Sequence, residues 1–325
     1  YSTGSSDFPR SVAIAVNGTG TSAYVYVAFE NGSATFTTFG DIWYNRSLNG
    51  GQSYQPSVVV DSAFGGNRQW HIYPGCLAVS SDGNPHIVYT KCTTLVSPYT
   101  QSLPTDIIYR RSTDYGASFG SAVTIASIFS AAPSRNISRC RIALDGLNNP
   151  FIVYHCNMSG APKDNDTYLQ WSDDGGSTFV PQSQAIMISS DSTGKNQQAA
   201  SIAVYGGNAS SVDRRVDIVW NDNRTTANSW DIYYDGCLQW KPLITLAGTS
   251  SGDYMVNTTN RTYFNASWNY NVTGLYGSFN GWCDNNTLLT FPEATYPTQP
   301  PKTTTDTRSW TVTGYFTATI TYSVG

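Results

Sequence analysis

Apolar and polar residues alternate along most of this chain in short runs, and the runs recur. Alternation with a period of two over four to eight residues marks a β-strand buried on one face. Four segments follow one plan. A first strand (11–16, 76–79, 139–144, 201–204) leads into a turn, and a second apolar strand follows (23–28, 86–89, 151–154, 216–220). A third begins at an acidic residue, in Asp41-Ile-Trp-Tyr, Asp106-Ile-Ile-Tyr, Asp166-Thr-Tyr-Leu and Asp231-Ile-Tyr-Tyr, at intervals of 65, 60 and 65 residues. A fourth strand closes each unit, as at 55–60 and 241–246. Four strands per unit, repeated radially, predict an all-β fold: a β-propeller of about four four-stranded blades over residues 1–248.

From Thr249 the repeat stops. Residues 249–295 hold short aromatic-rich strands and predict a small β-sandwich-like region or a diverged fifth blade. Residues 296–308 read as a Pro/Thr-rich extended spacer. Alternation then resumes over 309–325, with Trp310, Val312, Gly314, Phe316, Ala318, Ile320, Tyr322 and Val324 on one face. One strand of that length would span roughly 55 Å and, left open, would be an aggregation-prone edge. It must pair: in its own domain, in the propeller ring, or in a neighbouring subunit across the spacer. Donation to a neighbour predicts self-association into a polymer or oligomer.

Three segments share a further motif. They are Ser47-x-Asn49-x-Gly51-x-x-Tyr54, Ser112-x-Asp114-x-Gly116-x-x-Phe119 and Ser172-x-Asp174-x-Gly176-x-x-Phe179. Each resembles the Asp-box, or BNR repeat, of sialidase-like propellers, and the resemblance covers about residues 8–248. The first box has Asn for Asp, and the fourth unit has lost its box, leaving Asp235-Gly236-Cys237. The resemblance implies a hairpin between the third and fourth strands of each blade. Asp or Asn binds turn amides there, Gly takes the positive φ, and the aromatic packs beneath. It also implies that the boxes are structural and lie away from the family's catalytic face.

The family's catalysis needs three arginines, a Tyr nucleophile paired with Glu, and an Asp acid/base. Phe8-Pro9-Arg10 only loosely matches its Arg-Ile-Pro motif; Arg10, Asp61 and Arg68 lie near the first blade. Glu30 and Glu293 are the only glutamates, and neither has a nucleophile-activating context. The sequence reading is therefore a non-enzyme with no cofactor and no metal. His71, His86 and His155 are scattered, and Asp/Asn loops such as Asn221-Asp222-Asn223 have calcium-like chemistry.

Composition narrows the setting. Charged residues are 12% of the chain and the net charge is −4, which leaves no nucleic-acid footprint. No run of about 18 apolar residues predicts a membrane helix. Thirteen Asn-x-Ser/Thr sequons occur, at Asn17, Asn31, Asn45, Asn136, Asn157, Asn165, Asn208, Asn223, Asn257, Asn260, Asn265, Asn271 and Asn285. Chance gives about five or six at this Asn, Ser and Thr content, so N-linked glycans are expected. The absence of an initiating Met at Tyr1 fits a cleaved signal peptide and an extracellular or cell-surface location.

Six cysteines suit an oxidising compartment. Cys76 and Cys92 straddle one first-to-second-strand turn, Cys140 and Cys156 another, each pair 16 residues apart. The spacing predicts disulfides Cys76–Cys92 and Cys140–Cys156, with Cys237 and Cys283 tying the last blade to the C-terminal region. Zinc is disfavoured by the lack of any Cys-x-x-Cys. The function expected from the sequence is an extracellular glycosylated subunit of a surface filament or appendage, assembling through 309–325. A carbohydrate-binding adhesin, using Trp and Tyr to stack sugars, and a sialidase-like hydrolase are the alternatives.

Overall fold

The protein is described here by a computed structural model. It covers residues 7–33, 41–61, 68–70, 76–92, 106–127, 137–156, 165–179, 186–187, 196–208, 210–211, 213–226 and 229–240, then the strands from 243 onward and Gly314. The described secondary structure is all β apart from a 3-10 turn at Gly20–Ser22.

The first repeat is a meander of β1 (Asp7–Asn17), β2 (Tyr24–Ser33), β3 (Asp41–Ser47) and β4 (Val58–Asp61), hydrogen-bonded in that order. In the second, β5 (Arg68–Trp70) and β6 (Leu77–Val79) both pair with β7 (Pro85–Cys92), which is followed by β8 (Asp106–Arg111) and β9 (Val123–Ser127). The third contains β10 (Ile137–Leu144), β11 (Pro150–Cys156), β12 (Asp166–Trp171) and β13 (Ile186–Met187). The fourth begins with β14 (Gln197–Gly206), β15 (Asp213–Thr226) and β16 (Ser229–Trp240). All four repeats therefore fold as antiparallel sheets, with third strands starting at the expected aspartates or, in β16, two residues before.

Alternation fixes which side chains go inward. Ile42 and Tyr44 of β3 are buried, as are Tyr26 and Ala28 of β2. Val88, Tyr89, Ile107 and Tyr109 extend the same core into the second sheet, and Ile152 and Tyr154 into the third. Large rings pack against β-branched residues on half-buried strands, the environment in which both residue types are favoured.

The remainder departs from expectation. The strands after β16 are β17 (Leu243–Gly248), β18 (Tyr254–Thr259), β19 (Trp268–Val272), β20 (Ser278–Phe279), β21 (Cys283–Asp284), β22 (Thr287–Thr290), β23 (Lys302–Thr303), β24 (Ser309–Val312) and β25 (Thr317–Val324). The fourth sheet is completed by β21, not by 241–246; the strand there, β17, belongs to another sheet. Two further four-stranded sheets form, in the orders β20-β17-β25-β23 and β19-β18-β22-β24.

The single strand expected over 309–325 is two strands in two sheets. β24 places Trp310 opposite Leu289 and Val312 opposite Thr287. β25 runs parallel to β17, with Ala318 beside Ile244, Ile320 beside Leu246 and Tyr322 beside Gly248. Its other edge meets β23, where Val324 faces Lys302. Phe316 lies outside the described residues. β25 is thus paired along one edge by β17 and over Ser323–Val324 by β23, while β24 ends its sheet.

The chain divides into two compact units, residues 1–204 with 217–235, and residues 205–216 with 236–325. The six sheets are separate, and none closes on itself among the described residues. No described helix is long and apolar enough to cross a membrane.

Candidate functional site

The three Asp-boxes form as their chemistry requires. In the second, Ser112 Oγ donates to Asp114 Oδ1 at 2.7 Å and accepts from Gly116 N at 2.8 Å. Asp114 also receives Ser118 N at 2.9 Å and Ser118 Oγ at 2.6 Å. Those bonds, the Ser118 hydroxyl first, hold its carboxyl down at about 2. The third box repeats the pattern with Ser172, Asp174, Gly176 and Thr178. In the first, Asn49 Oδ1 accepts from Ser53 N at 2.9 Å, so its carboxamide does the work of the carboxylate.

The boxes also join one repeat to the next. Phe119 meets the ring of Tyr44 edge-on at 5.0 Å between centroids, and Phe179 meets Tyr109 likewise at 5.0 Å. Arg46 donates to Tyr115 O at 2.5 Å; Arg111 donates to Gly175 O and, at 3.1 Å, to Ser177 Oγ. A cleft of about 370 Å³ between the second and third boxes is lined by Tyr109, Arg111, Phe119, Val123, Gly176 and Ser177. Arg111, the cation lining it, is committed to the neighbouring hairpin. Tyr54, which closes the first motif, is exposed.

Chemistry not explained by the hairpins gathers toward the other end of the strands. Asp61, at the end of β4, stands opposite Ile42, near the start of β3. Its Oδ2 accepts Tyr89 OH at 2.6 Å and Lys91 Nζ at 3.2 Å, and its Oδ1 lies 3.7 Å from Arg110 Nη2. Arg110 Nη1 donates to Gly120 O at 3.3 Å, while its buried Nε has no hydrogen-bond partner. Burial, and then the Asp61 charge, push the Tyr89 phenol well above its ordinary value, so it stays a donor. A carboxylate, a phenol and two cations thus converge where the first sheet meets the second.

Of the residues singled out with Asp61, Arg10 stands opposite Glu30 and Arg68 opposite Cys92 in backbone register. Their side chains, His71 and Glu293 lie outside the described residues. Tyr89, Lys91 and Arg110 were missed by sequence reasoning. Alternation places Tyr89 and Lys91 on one face of β7, but their link to Asp61 comes from packing between sheets.

The other candidates have structural roles. His86 Nδ1 meets Tyr109 OH at 2.7 Å; burial, followed by the Arg111 charge, lowers its pKa to about 4. His155 Nε2 accepts Ala200 N at 2.9 Å, and burial lowers its pKa to about 3. Asp222 is taken by Arg224 Nε at 2.8 Å and Trp220 Nε1 at 3.1 Å, which removes the calcium-like carboxylate. Asn223, a sequon asparagine, is 6% exposed, and its Oδ1 accepts Asn196 N at 2.9 Å. Asn208 is exposed, while Asn17, Asn45 and Asn165 each use Nδ2 as a donor. The side chains of Asn31, Asn136, Asn157, Asn257, Asn260, Asn265, Asn271 and Asn285 lie outside the described residues.

The cysteine pairing expected from spacing requires a register that is not observed. Leu77 pairs with Ile87, which sets Cys76 beside Val88, whereas Cys92 faces Arg68. Cys156 faces Ile137, not Cys140, because a bulge shifts β10 between Ser138 and Arg141. Cys283 faces Trp240 rather than Cys237, although β21 does bring it to the fourth sheet.

No protein-family model matches the chain, and no curated protein matches it. Among solved structures, it is similar to a Dyadobacter fermentans protein of unknown function, at 11% identity and TM-score 0.44 over 92% of this chain and 93% of that one. A Hadza microbial sialidase, Hz136, matches at 10% identity and TM-score 0.42, over 91% of this chain and 60% of that one. An N-acetylgalactosamine deacetylase from F. plautii matches at 11% identity and TM-score 0.39, over 72% and 73%. These values assign no activity to this chain. They do correct the reading of a non-enzyme: the structures similar to it are mainly carbohydrate-active enzymes, so that reading is not carried forward.

Proposed function

We propose that this chain is a secreted, N-glycosylated, carbohydrate-engaging protein on a sialidase-like repeat, with its blades arranged radially. The sugar is met around Asp61, Tyr89, Lys91 and Arg110. One observation supports this most: Asp61 sits between Tyr89 and two cations. A sugar presents adjacent hydroxyls that both donate and accept, and a carboxylate beside guanidinium and ammonium groups answers both needs. The Lys91 and Arg110 side chains are about one-fifth exposed and that of Asp61 is 10% exposed.

The test is a glycan array with the full chain, followed by titration of any hit. Asp61→Asn and Arg110→Ala should each weaken binding at least about tenfold, the size of one charge-assisted hydrogen bond, with an unchanged circular dichroism spectrum. A wild-type chain that binds no glycan, or folded variants that bind as tightly as wild type, would sink the reading. Incubation with a panel of glycosides and sialosides reads turnover, and a rate lost in Asp61→Asn would place catalysis at this cluster.

Assembly into a surface filament is a separate reading. Strand donation would require β25 to leave β17 and β23, an exchange that truncation tests directly.

A further inference from the structure

The first strands of the second and third repeats bring together two cysteines that hairpin spacing had assigned elsewhere. Cys76 Sγ lies 3.4 Å from Cys140 Sγ, and both residues are 0% exposed. β6 packs against β10 at this point. Cys76 stands beside Val88, whose amide donates to its carbonyl at 2.9 Å. Ala13 holds the matching place in the first repeat, opposite Ala28, and it too is buried. Side chains at this place therefore sit in the shared core rather than at the surface.

The alternative partner is out of reach. Cys92 lies four residues beyond Val88 along β7, roughly 13 Å at ~3.3 Å per residue. A disulfide requires a Cα separation of about 4.4–6.8 Å.

We propose that Cys76 and Cys140 form a disulfide that ties the second repeat to the third. The bond forms by exchange with an oxidising disulfide, either glutathione disulfide or a dithiol-oxidase of the secretory route. One cysteine first displaces a thiolate from the oxidant to give a mixed disulfide. The other then attacks that sulfur and expels the second thiolate. The two protons lost by the cysteines go to the oxidant's two thiols, and the electron pair goes with them. Burial pushes the Cys140 thiol well above its ordinary value, so exchange precedes closure of the two sheets over the pair. The bond then spans 64 residues of sequence and adds a covalent tie to repeats that otherwise meet by packing and by hydrogen bonds such as those of Arg111.

Peptide mapping of the unreduced native chain, unfolded in a thiol-blocking reagent, tests this. The expected product joins the peptides of Cys76 and Cys140 and separates on reduction. A Cys76–Cys92 or Cys140–Cys156 product, or blocking of both residues as thiols, overturns the proposal. In full-length Cys140→Ser, Cys76 should become one additional blocked thiol; Cys76 still held in a disulfide would likewise refute it. If that variant is not secreted, the wild-type map alone decides. The result is independent of glycan binding, since none of the measurements uses a ligand.

Discussion

Gly116 rests on the ring of Tyr44, 72 residues earlier in the chain: a methyl group at 116 would overlap the hydroxyl and come within 2.7 Å of Cζ. Gly176 rests on Tyr109 in the same way. The glycine of the second and third Asp-boxes is therefore required twice, by its positive φ of 77° or 93° and by the tyrosine of the preceding repeat. Leu169 takes the tyrosine position in the third repeat, and the box that would follow is the one the fourth repeat has lost.

Gly116→Ala should destabilise the chain by about 2–4 kcal/mol, combining overpacking with a strained φ. Gly20→Ala, with positive φ but open space around its Cβ, should cost only about 1 kcal/mol. Urea denaturation measures both. Tyr44→Leu combined with Gly116→Ala should cost less than the sum of the single changes, and strict additivity would contradict the contact.

Stability should fall in acid. His86 and His155 have folded pKa values of about 4 and 3, below the 6.5 of the exposed ring. Between those values the unfolded chain binds protons that the folded chain refuses. The contribution is therefore complete above pH 6.5 and is lost as pH falls toward 4 and then 3. At ~1.4 kcal/mol per pKa unit, His86 alone accounts for on the order of 3 kcal/mol. Asp114 acts with the same sign lower down, between 3.8 and about 2. Urea midpoints from pH 7 to 4 should decline, and His86→Gln should flatten that decline.

Glycan occupancy should separate two nearby sequons. Asn208 is exposed and should carry a glycan, whereas Asn223, buried and bonded to Asn196, should be bare in the folded secreted chain. Glycopeptide mass spectrometry reads both. A fully occupied Asn223 would contradict its burial.

Ending the chain at Pro301 removes β23, β24 and β25, and leaves β17 and β22 each with an unpaired edge. The truncated chain should melt earlier and aggregate, since open edges template association. A stable, soluble truncated monomer beside a polymerising full chain would instead favour strand donation between copies.

Sequence alone determined the repeat, because strand alternation, the acidic start of each third strand and the Ser-x-Asp-x-Gly turns are local. Ser112, Asp114, Gly116 and Ser118 lie within seven residues, and their hydrogen bonds follow from that proximity. Only the tertiary structure decided the rest. Equal spacing about Asn84 suggested Cys76–Cys92, but the turn between β6 and β7 is centred on Asp82, which sets Cys76 beside Val88 and close to Cys140. The uninterrupted alternation of 309–325 could not show that the strand divides around Gly314 and enters two sheets. Asp61, Tyr89, Lys91 and Arg110 likewise meet only because two sheets pack together. Periodicity fixes which face a residue takes; what that face meets depends on contacts between residues far apart in the chain.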